Sequence, residues 1–179
     1  MHENVSFFFY LVSMNILKTP IVNLSSVQEF CGLSRTVTED EFNRFIISAQ
    51  NLELRELLGE EMVDSIVTFS CAMSPPENIP LETLIENYVI PFVSHVSFQK
   101  YASQSGMQSL KSGIKRMTGE EVEEMNRNEK SAVQNFHQKE SDSYGVRMLA
   151  FMESNLIEFP LYESKECEPV SRSIFTSKG

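Results

Sequence analysis

The chain has 179 residues, enough for one domain with a core of its own, and its 41% hydrophobic and 22% charged composition is typical of a globular protein. Its formal net charge of −10 argues against a non-specific nucleic-acid binder, which would need a basic surface to displace counterions. The three cysteines lie far apart without a CxxC pair, which fits free thiols in a reducing compartment.

The first 18 residues predict an apolar arm or an added leader. The run FFFYLV (7–12) opens this segment, and its apolar core falls well short of the roughly 20 residues of a membrane-spanning helix. A signal peptide fits poorly because no Lys or Arg precedes the run. We expect either an arm that packs on this chain or a neighbour, or extra sequence upstream of a start at Met14.

The next part of the chain predicts two helices with clear boundaries. Residues 25–33 form a short helix with a serine as its cap and Gly32 as its end. Thr38 and Glu41 have the spacing of a capping box, which begins a second helix. Apolar residues then recur three and four apart until Gly59, which ends or kinks the helix.

Two more apolar segments flank a proline-rich loop. A stripe over 62–73 predicts a helix, and SPPENIP (74–80) cannot continue it. Residues 81–104 predict a core helix with Pro91 inside it, where the proline produces a kink or a start one turn in. His95 lies on the apolar face of this helix, so we expect it to be a core or interface residue, and we expect the same of His137, which lies beside Phe136 on the last long helix.

The remaining segments predict an excursion, a long helix and a tail. Residues 107–118 break helical periodicity and predict a short β-hairpin or an extended loop around a central Ser-Gly pair. Thr118 and Glu121 predict a second capping box, which begins a helix over 119–154 with a bend near 141–145. Asn155 ends that helix, an extended piece reaches Tyr162, and residues 163–179 form a polar tail.

Together these elements predict one all-α domain over residues 19–162. It is a bundle of four to five helices with a short β-hairpin or extended loop before the last long helix, and with extended termini. The patterns GxGxxG, GxxxxGK[ST], HExxH and GxSxG are absent from the sequence. His95 and His137 have no Cys or His at ligand spacing, so we expect no catalysis, no metal and no cofactor.

Three segments in a fixed order carry a family resemblance. They are AQNLELRELLGEEMVDSI (49–66), YVIPFVSHVSFQKY (88–101), and Asn155 followed by FPLY (159–162). Their order over about residues 20–162 resembles the helical head–tail connector, or head-completion adaptor, proteins of tailed bacteriophages. The resemblance is closest to those of phages of Bacteroidetes-type hosts, including crAss-like phages.

The resemblance implies a structural virion protein without catalysis, cofactor or membrane contact. Such proteins assemble as a ring, typically twelvefold, in the neck beneath the portal protein. The ring extends the DNA channel and docks the tail or the next neck ring. By position, the excursion before the last helix contacts the portal or neighbouring subunits. The residues assigned to this interface are Leu110, Lys111, Ile114, Lys115, Arg116, Met117, Phe159 and Tyr162. The alternative is a small cytosolic adaptor or regulatory module that binds a partner helix in an apolar groove.

Overall fold

The computed structural model describes residues 18–71, 78–104, 115–118, 121–124 and 127–162, with the backbone alone for the two short strands and for Arg127. The α-helices in this part are α1 (Leu24–Cys31), α2 (Glu39–Ala49), α3 (Arg55–Leu58), α4 (Glu60–Cys71), α5 (Ile79–Leu84), α6 (Ile90–Gln104) and α7 (Arg127–Ser154). A π-helical segment, Gln50–Leu54, joins α2 to α3, and a second, Ile85–Val89, joins α5 to α6. The predicted all-α bundle is therefore confirmed.

Helix α1 begins and ends at specific polar and glycine positions. The side chain of Asn23 accepts a hydrogen bond of 2.8 Å from the backbone N–H of Ser26. The prediction of a serine cap was wrong, because Asn23 is the capping residue. The hydroxyls of Ser25 and Ser26 also donate hydrogen bonds to the side-chain Oδ1 of Asn23. Gly32 has a φ of 65°, a conformation that favours glycine, and it ends the helix as predicted.

The structure confirms Thr38 as the start of the second predicted helix and Gly59 as its end, but it corrects how the start is capped. Thr38 is the N-cap residue of α2, but its side chain makes no capping hydrogen bond with the described first turn. Three acidic residues, Glu39 to Glu41, occupy that turn and favour the positive end of the helix dipole. Gly59, at a φ of 87°, separates α3 from α4, and Arg55 and Asp64 form an ion pair across the junction.

The long helix begins later than predicted because part of its expected first turn is a β-strand. Strand β1 (Lys115–Thr118) pairs antiparallel with β2 (Glu121–Glu124), so Thr118 faces Glu121 across the hairpin instead of capping a helix with it. The register also places Lys115 opposite Glu124 and Arg116 opposite Glu123. Facing positions of opposite charge favour strand pairing, which explains why the capping-box prediction failed here. The predicted Ser-Gly centre lies outside the described residues.

Helix α6 is the central packing element of the bundle. Every residue from Pro91 to Phe98 is buried, so the helix is covered on all sides instead of along one stripe. It packs against α1, α2 and α7. Pro91 is its second residue, and Ile90 alone separates it from the π-helical segment, whose wider turn accommodates a residue that has no N–H for the helical ladder.

The described chain ends in turns that fold back on the bundle. Asn155 follows α7, and hydrogen bonds from Glu158 to Asn155 and from Tyr162 to Phe159 form consecutive turns instead of the predicted extended piece. Phe159 and Tyr162 belong to the core. The predicted arm and the tail after Tyr162 lie outside the described residues. None of the described helices combines the length and apolar character that a bilayer-crossing segment needs.

Candidate functional site

A cluster of polar side chains forms where three helices meet in the interior. Cys31 ends α1, His95 lies in the middle of α6, and His137 lies on α7. The Nδ1 atoms of His95 and His137 are 2.8 Å apart, and the Sγ of Cys31 is 3.6 Å from the Nδ1 of His95. Both histidines are buried and Cys31 is partly buried. We refer to these three residues as the Cys-His-His cluster.

Packing between distant segments, and not sequence spacing, creates this cluster. Cys31 and His95 are 64 residues apart, and His95 and His137 are 42 residues apart. The predicted core position of both histidines is confirmed. The sequence has no Cys or His at ligand spacing from either histidine, but the fold brings all three residues together because α1 and α7 both pack on α6. One sequence signal could have indicated that the two histidines meet. Both lie among apolar residues, on helices that have to share one core.

Burial keeps all three side chains of the cluster uncharged near neutral pH. Desolvation raises the pKa of the Cys31 thiol to about 12. Desolvation, together with repulsion from the positive charge that His95 gains once it is protonated at low pH, lowers the pKa of His137 to about 4. Desolvation also lowers the pKa of His95, and the negative charge of Glu140 opposes that effect. With two neutral rings, the contact between the Nδ1 atoms is a hydrogen bond in which one ring donates and the other accepts.

Aromatic rings enclose the cluster. The ring of Tyr144 stacks on His95 with a centroid distance of 5.7 Å and an interplanar angle of 20°. The ring of Phe98 lies 4.3 Å from His137. This apolar surrounding lowers the local dielectric and strengthens the electrostatic interactions inside it. The arrangement provides two imidazole nitrogens and one sulfur as ligand atoms, and these lie within 4.8 Å of one another.

A groove of about 530 Å³ lies beside the bundle core, between α3, α6 and α7. Leu57, Phe92 and Leu149 are among its apolar lining residues, and Glu53, Glu56 and Asp142 are the acidic ones. Helix α7 continues through Gly145 without interruption. A Cβ atom at Gly145 would lie 3.4 Å from the Phe92 ring and 3.5 Å from Leu57, which are ordinary van der Waals distances, so an alanine would fit at this position.

The residues predicted as an interface do not come together in one described surface. Lys115, Arg116 and Met117 lie on β1, whereas Leu110, Lys111 and Ile114 lie outside the described residues. Phe159 and Tyr162 are only 2% and 8% exposed. Their side chains therefore pack in the chain's own core, which contradicts a direct interface role for them. An interface at this position has to use exposed neighbours such as Ile157, which is 94% exposed.

Gln50 is an architectural residue whose role the sequence did not reveal. It is fully buried at the start of the first π-helical segment. Its Oε1 accepts a hydrogen bond of 3.0 Å from the backbone N–H of Ile21, and its Nε2 donates one of 3.2 Å to the carbonyl of Thr19. These two hydrogen bonds therefore hold the segment before α1 against the bundle. They give a physical role to Gln50, which lies at the start of the first segment that carries the family resemblance.

The comparison with protein families gives one assignment. A family model, DUF6712, described as a family of unknown function, matches residues 33–172. The chain belongs to this family. The matched region contains His95 and His137 but begins after Cys31. No curated protein and no solved structure matches the chain.

Proposed function

We propose that the chain is a structural virion protein, a subunit of a ring-forming head–tail connector. In this role the ring docks under the portal, extends the DNA channel and receives the tail or the next neck ring. The observation that carries the proposal is the ordered series of segments 49–66, 88–101 and 155–162. Their characteristic residues have architectural positions, since Gln50 fastens the amino-terminal segment, Gly59 separates two helices and Phe159 closes the core.

The position of the hairpin also supports the proposal. Strands β1 and β2 lie directly before α7 in the chain, where the resemblance implies contacts with the portal or with neighbouring subunits. An isolated two-stranded hairpin is marginally stable in water. Docking against a second protein would stabilise this hairpin, so an assembly role accounts for a two-stranded element in a helical chain.

Charge and surface composition agree with a ring around DNA. A lumen through which DNA passes has to avoid retaining phosphates, and a net charge of −10 serves that purpose. Exposed apolar residues lie on several elements, namely Leu52, Ile79, Val146 and Ile157, with exposures of 60%, 65%, 68% and 94%. Ring assembly uses two different surfaces of each subunit, and apolar side chains spread over several elements suit such contacts.

Co-assembly with the portal protein of the same virus tests the proposal. The full chain and the portal would be co-expressed, and the complexes would be measured by pull-down and native mass spectrometry. We expect a complex with several copies of this chain on each portal ring. Replacing the basic residues of β1 in the double variant Lys115→Glu/Arg116→Glu reverses their charge and should abolish that complex while leaving helicity unchanged.

The double variant Arg35→Glu/Lys139→Glu is the matched control. It makes the same change in net charge at two exposed positions away from the hairpin. We expect it to bind the portal as the unaltered chain does. If both double variants bound equally well, the docking role of the hairpin would be rejected. If the unaltered chain did not associate with the portal, the connector function itself would be rejected.

A second candidate function rests on the groove between α3, α6 and α7. Its volume of about 530 Å³ and its apolar lining, including Phe92 and Leu149, suit a bound helix, as in an adaptor or regulatory module. The same mass measurement separates the two functions. A chain that stays monomeric both alone and with the portal favours the adaptor, whereas multiple copies on the portal favour the connector.

A further inference from the structure

We propose that Cys31, His95 and His137 form a buried binding site for a zinc-like divalent cation that joins three helices. The ligands would be the Cys31 sulfur from α1 and the Nδ1 atoms of His95 and His137 from α6 and α7. The site lies inside a single chain, so it does not depend on the connector function.

The distances in the cluster are close to those of a tetrahedral zinc site. Bond lengths of about 2.3 Å to sulfur and about 2.05 Å to nitrogen place bound sulfur and nitrogen about 3.6 Å apart, and two bound nitrogens about 3.3 Å apart. The Sγ of Cys31 is already 3.6 Å from the Nδ1 of His95. The two Nδ1 atoms, at 2.8 Å, have to separate by about 0.5 Å to admit the ion.

The third distance between ligand atoms, from Cys31 to His137, requires only a small movement. Each of the three residues offers a ligand atom within 4.8 Å of the other two, so the distance between Cys31 and His137 has to shorten by no more than about 1.2 Å to reach the roughly 3.6 Å of a tetrahedral zinc site. Cys31 is the last residue of α1 and is only partly buried, so its side chain has room to turn. The two histidines already bring their Nδ1 atoms within 2.8 Å of each other, so both can turn their lone pairs toward a shared ion by rotating their rings.

Metal binding releases one proton from the site and moves a second one within an imidazole ring. The metal-free cluster holds a thiol and a pair of neutral imidazoles that share one hydrogen between their Nδ1 atoms. On binding, the thiol loses its proton to solvent. The imidazole that donated from Nδ1 becomes the Nε2–H tautomer, so both Nδ1 lone pairs point at the ion. The site then carries a net charge of +1 from the dication and the thiolate.

Several features of the surroundings favour a cation of this kind. One thiolate and two imidazoles are the ligand set that zinc prefers over calcium or magnesium, which take oxygen ligands. Glu140, one turn after His137 on α7, acts electrostatically on His95. Its negative charge favours a bound cation as well. The rings of Tyr144 and Phe98 lie against the two imidazoles and make the surroundings of the ligand atoms apolar.

Metal titration of the tag-free full chain tests the inference. The protein would be treated with a chelator and then titrated with Co²⁺ and with Zn²⁺. We expect one Co²⁺ per chain, a thiolate-to-cobalt charge-transfer band in the near ultraviolet and the strong visible bands of a tetrahedral ion. Zn²⁺ should displace the cobalt and raise the midpoint of thermal unfolding, because it binds the folded chain in preference to the unfolded one. Mg²⁺ should do neither.

Two cysteine variants make the test specific. Cys31→Ser should lose the charge-transfer band and bind zinc more weakly by roughly ten-fold or more, the range that even outer-shell changes produce. Cys71→Ser changes the same chemistry at an exposed position outside the cluster and should bind as the unaltered chain does. His137→Gln should also lose binding. If that variant failed to fold by circular dichroism, the cysteine pair would still decide the question.

Two results would overturn the proposal. The first is a titration of the unaltered chain that shows no cobalt–thiolate band. The second is a band that persists in Cys31→Ser and disappears in Cys71→Ser, which would place the ion at the exposed thiol. In either case the Cys-His-His cluster is a neutral hydrogen-bonded contact in the core and no more.

Discussion

The helical core and the β-hairpin of this chain differ in what holds them together. In the core, α6 is surrounded by α1, α2 and α7, and residues such as Phe42, Ile46 and Val93 are fully buried. The hairpin consists of two four-residue strands that pair in register with each other. Burial of apolar surface drives the folding of the first region, whereas a short strand pair is marginal without further support.

Because of this difference, we expect the core to determine the stability of the fold and the hairpin to determine assembly. Substitutions in the core should change the free energy of unfolding and leave the contact surfaces of the folded protein intact. Substitutions in the hairpin should have little effect on unfolding and a large effect on association. The following variants test that separation, beginning with the largest expected change in stability.

Phe42→Ala should be the most destabilising of these changes. Phe42 is fully buried, and its ring centroid lies 5.3 Å from that of Tyr101 and 5.8 Å from that of Phe45. Removing a buried aromatic side chain typically costs about 3–5 kcal/mol in the free energy of unfolding. Urea unfolding measures the change. Phe30→Ala, at a position with 40% exposure, is the control and should cost much less; equal costs would place the core elsewhere.

Gln50→Ala should destabilise the bundle by an intermediate amount. The substitution leaves the N–H of Ile21 and the carbonyl of Thr19 without their side-chain partner. An unsatisfied buried polar group costs about 1–3 kcal/mol. The same urea measurement applies, with the exposed Gln104→Ala as the control. Hydrogen exchange should also become faster before α1, and unchanged exchange there would contradict the fastening role of Gln50.

Tyr101→Phe should be neutral or stabilising near pH 7. The Tyr101 hydroxyl is buried and has no hydrogen-bond partner among the described residues, so its removal relieves a desolvation cost. Burial and the charge of Glu41 raise the pKa of Tyr101 above its ordinary value of 10.0. Above that pH the unfolded chain loses this proton while the folded chain keeps it, so stability falls as pH rises.

The phenylalanine variant should therefore lose less stability above that pH than the unaltered chain. Unfolding measured from neutral to alkaline pH reports the difference between the two proteins. A variant that is less stable at pH 7, or that loses as much stability at high pH, would show that the hydroxyl has a partner in solution.

The hairpin variant Lys115→Glu/Arg116→Glu should have the smallest effect on unfolding. Surface substitutions typically change the free energy of unfolding by no more than about 0.5 kcal/mol. The register places both positions opposite glutamates, so the change replaces two facing pairs of opposite charge with pairs of like charge, and we expect a cost at the low end of the roughly 0.2–1 kcal/mol typical of one cross-strand pair. A loss comparable to that of Gln50→Ala would mean that the hairpin belongs to the folding core.

Much of the fold could be predicted from residue patterns, and the failures have physical causes. Gly32 and Gly59 end helices because the backbone has a positive φ at both positions. This conformation favours glycine, so the two glycines mark the helix ends in the sequence. The π-helical segments escaped prediction because a one-residue widening leaves the apolar periodicity nearly unchanged. The start of α7 was misplaced because Thr118 and Glu121 have the spacing of a capping box, whereas the structure pairs them across a hairpin whose register places basic positions opposite acidic ones.

The Cys-His-His cluster could not be predicted from local spacing at all. Its three residues come from helices that meet only in the folded bundle. Sequence patterns identified His95 and His137 as core residues, which is correct, but a core assignment does not say which buried side chains face each other. That information resides in helix packing, which one sequence does not specify.

Cryo-electron microscopy of purified virions tests the proposed connector function most directly. We expect a ring of density between the portal and the tail into which this helical bundle fits, with the hairpin before α7 directed at the portal or at a neighbouring subunit. Absence of the protein from purified virions, or a neck built entirely from other chains, would contradict the account.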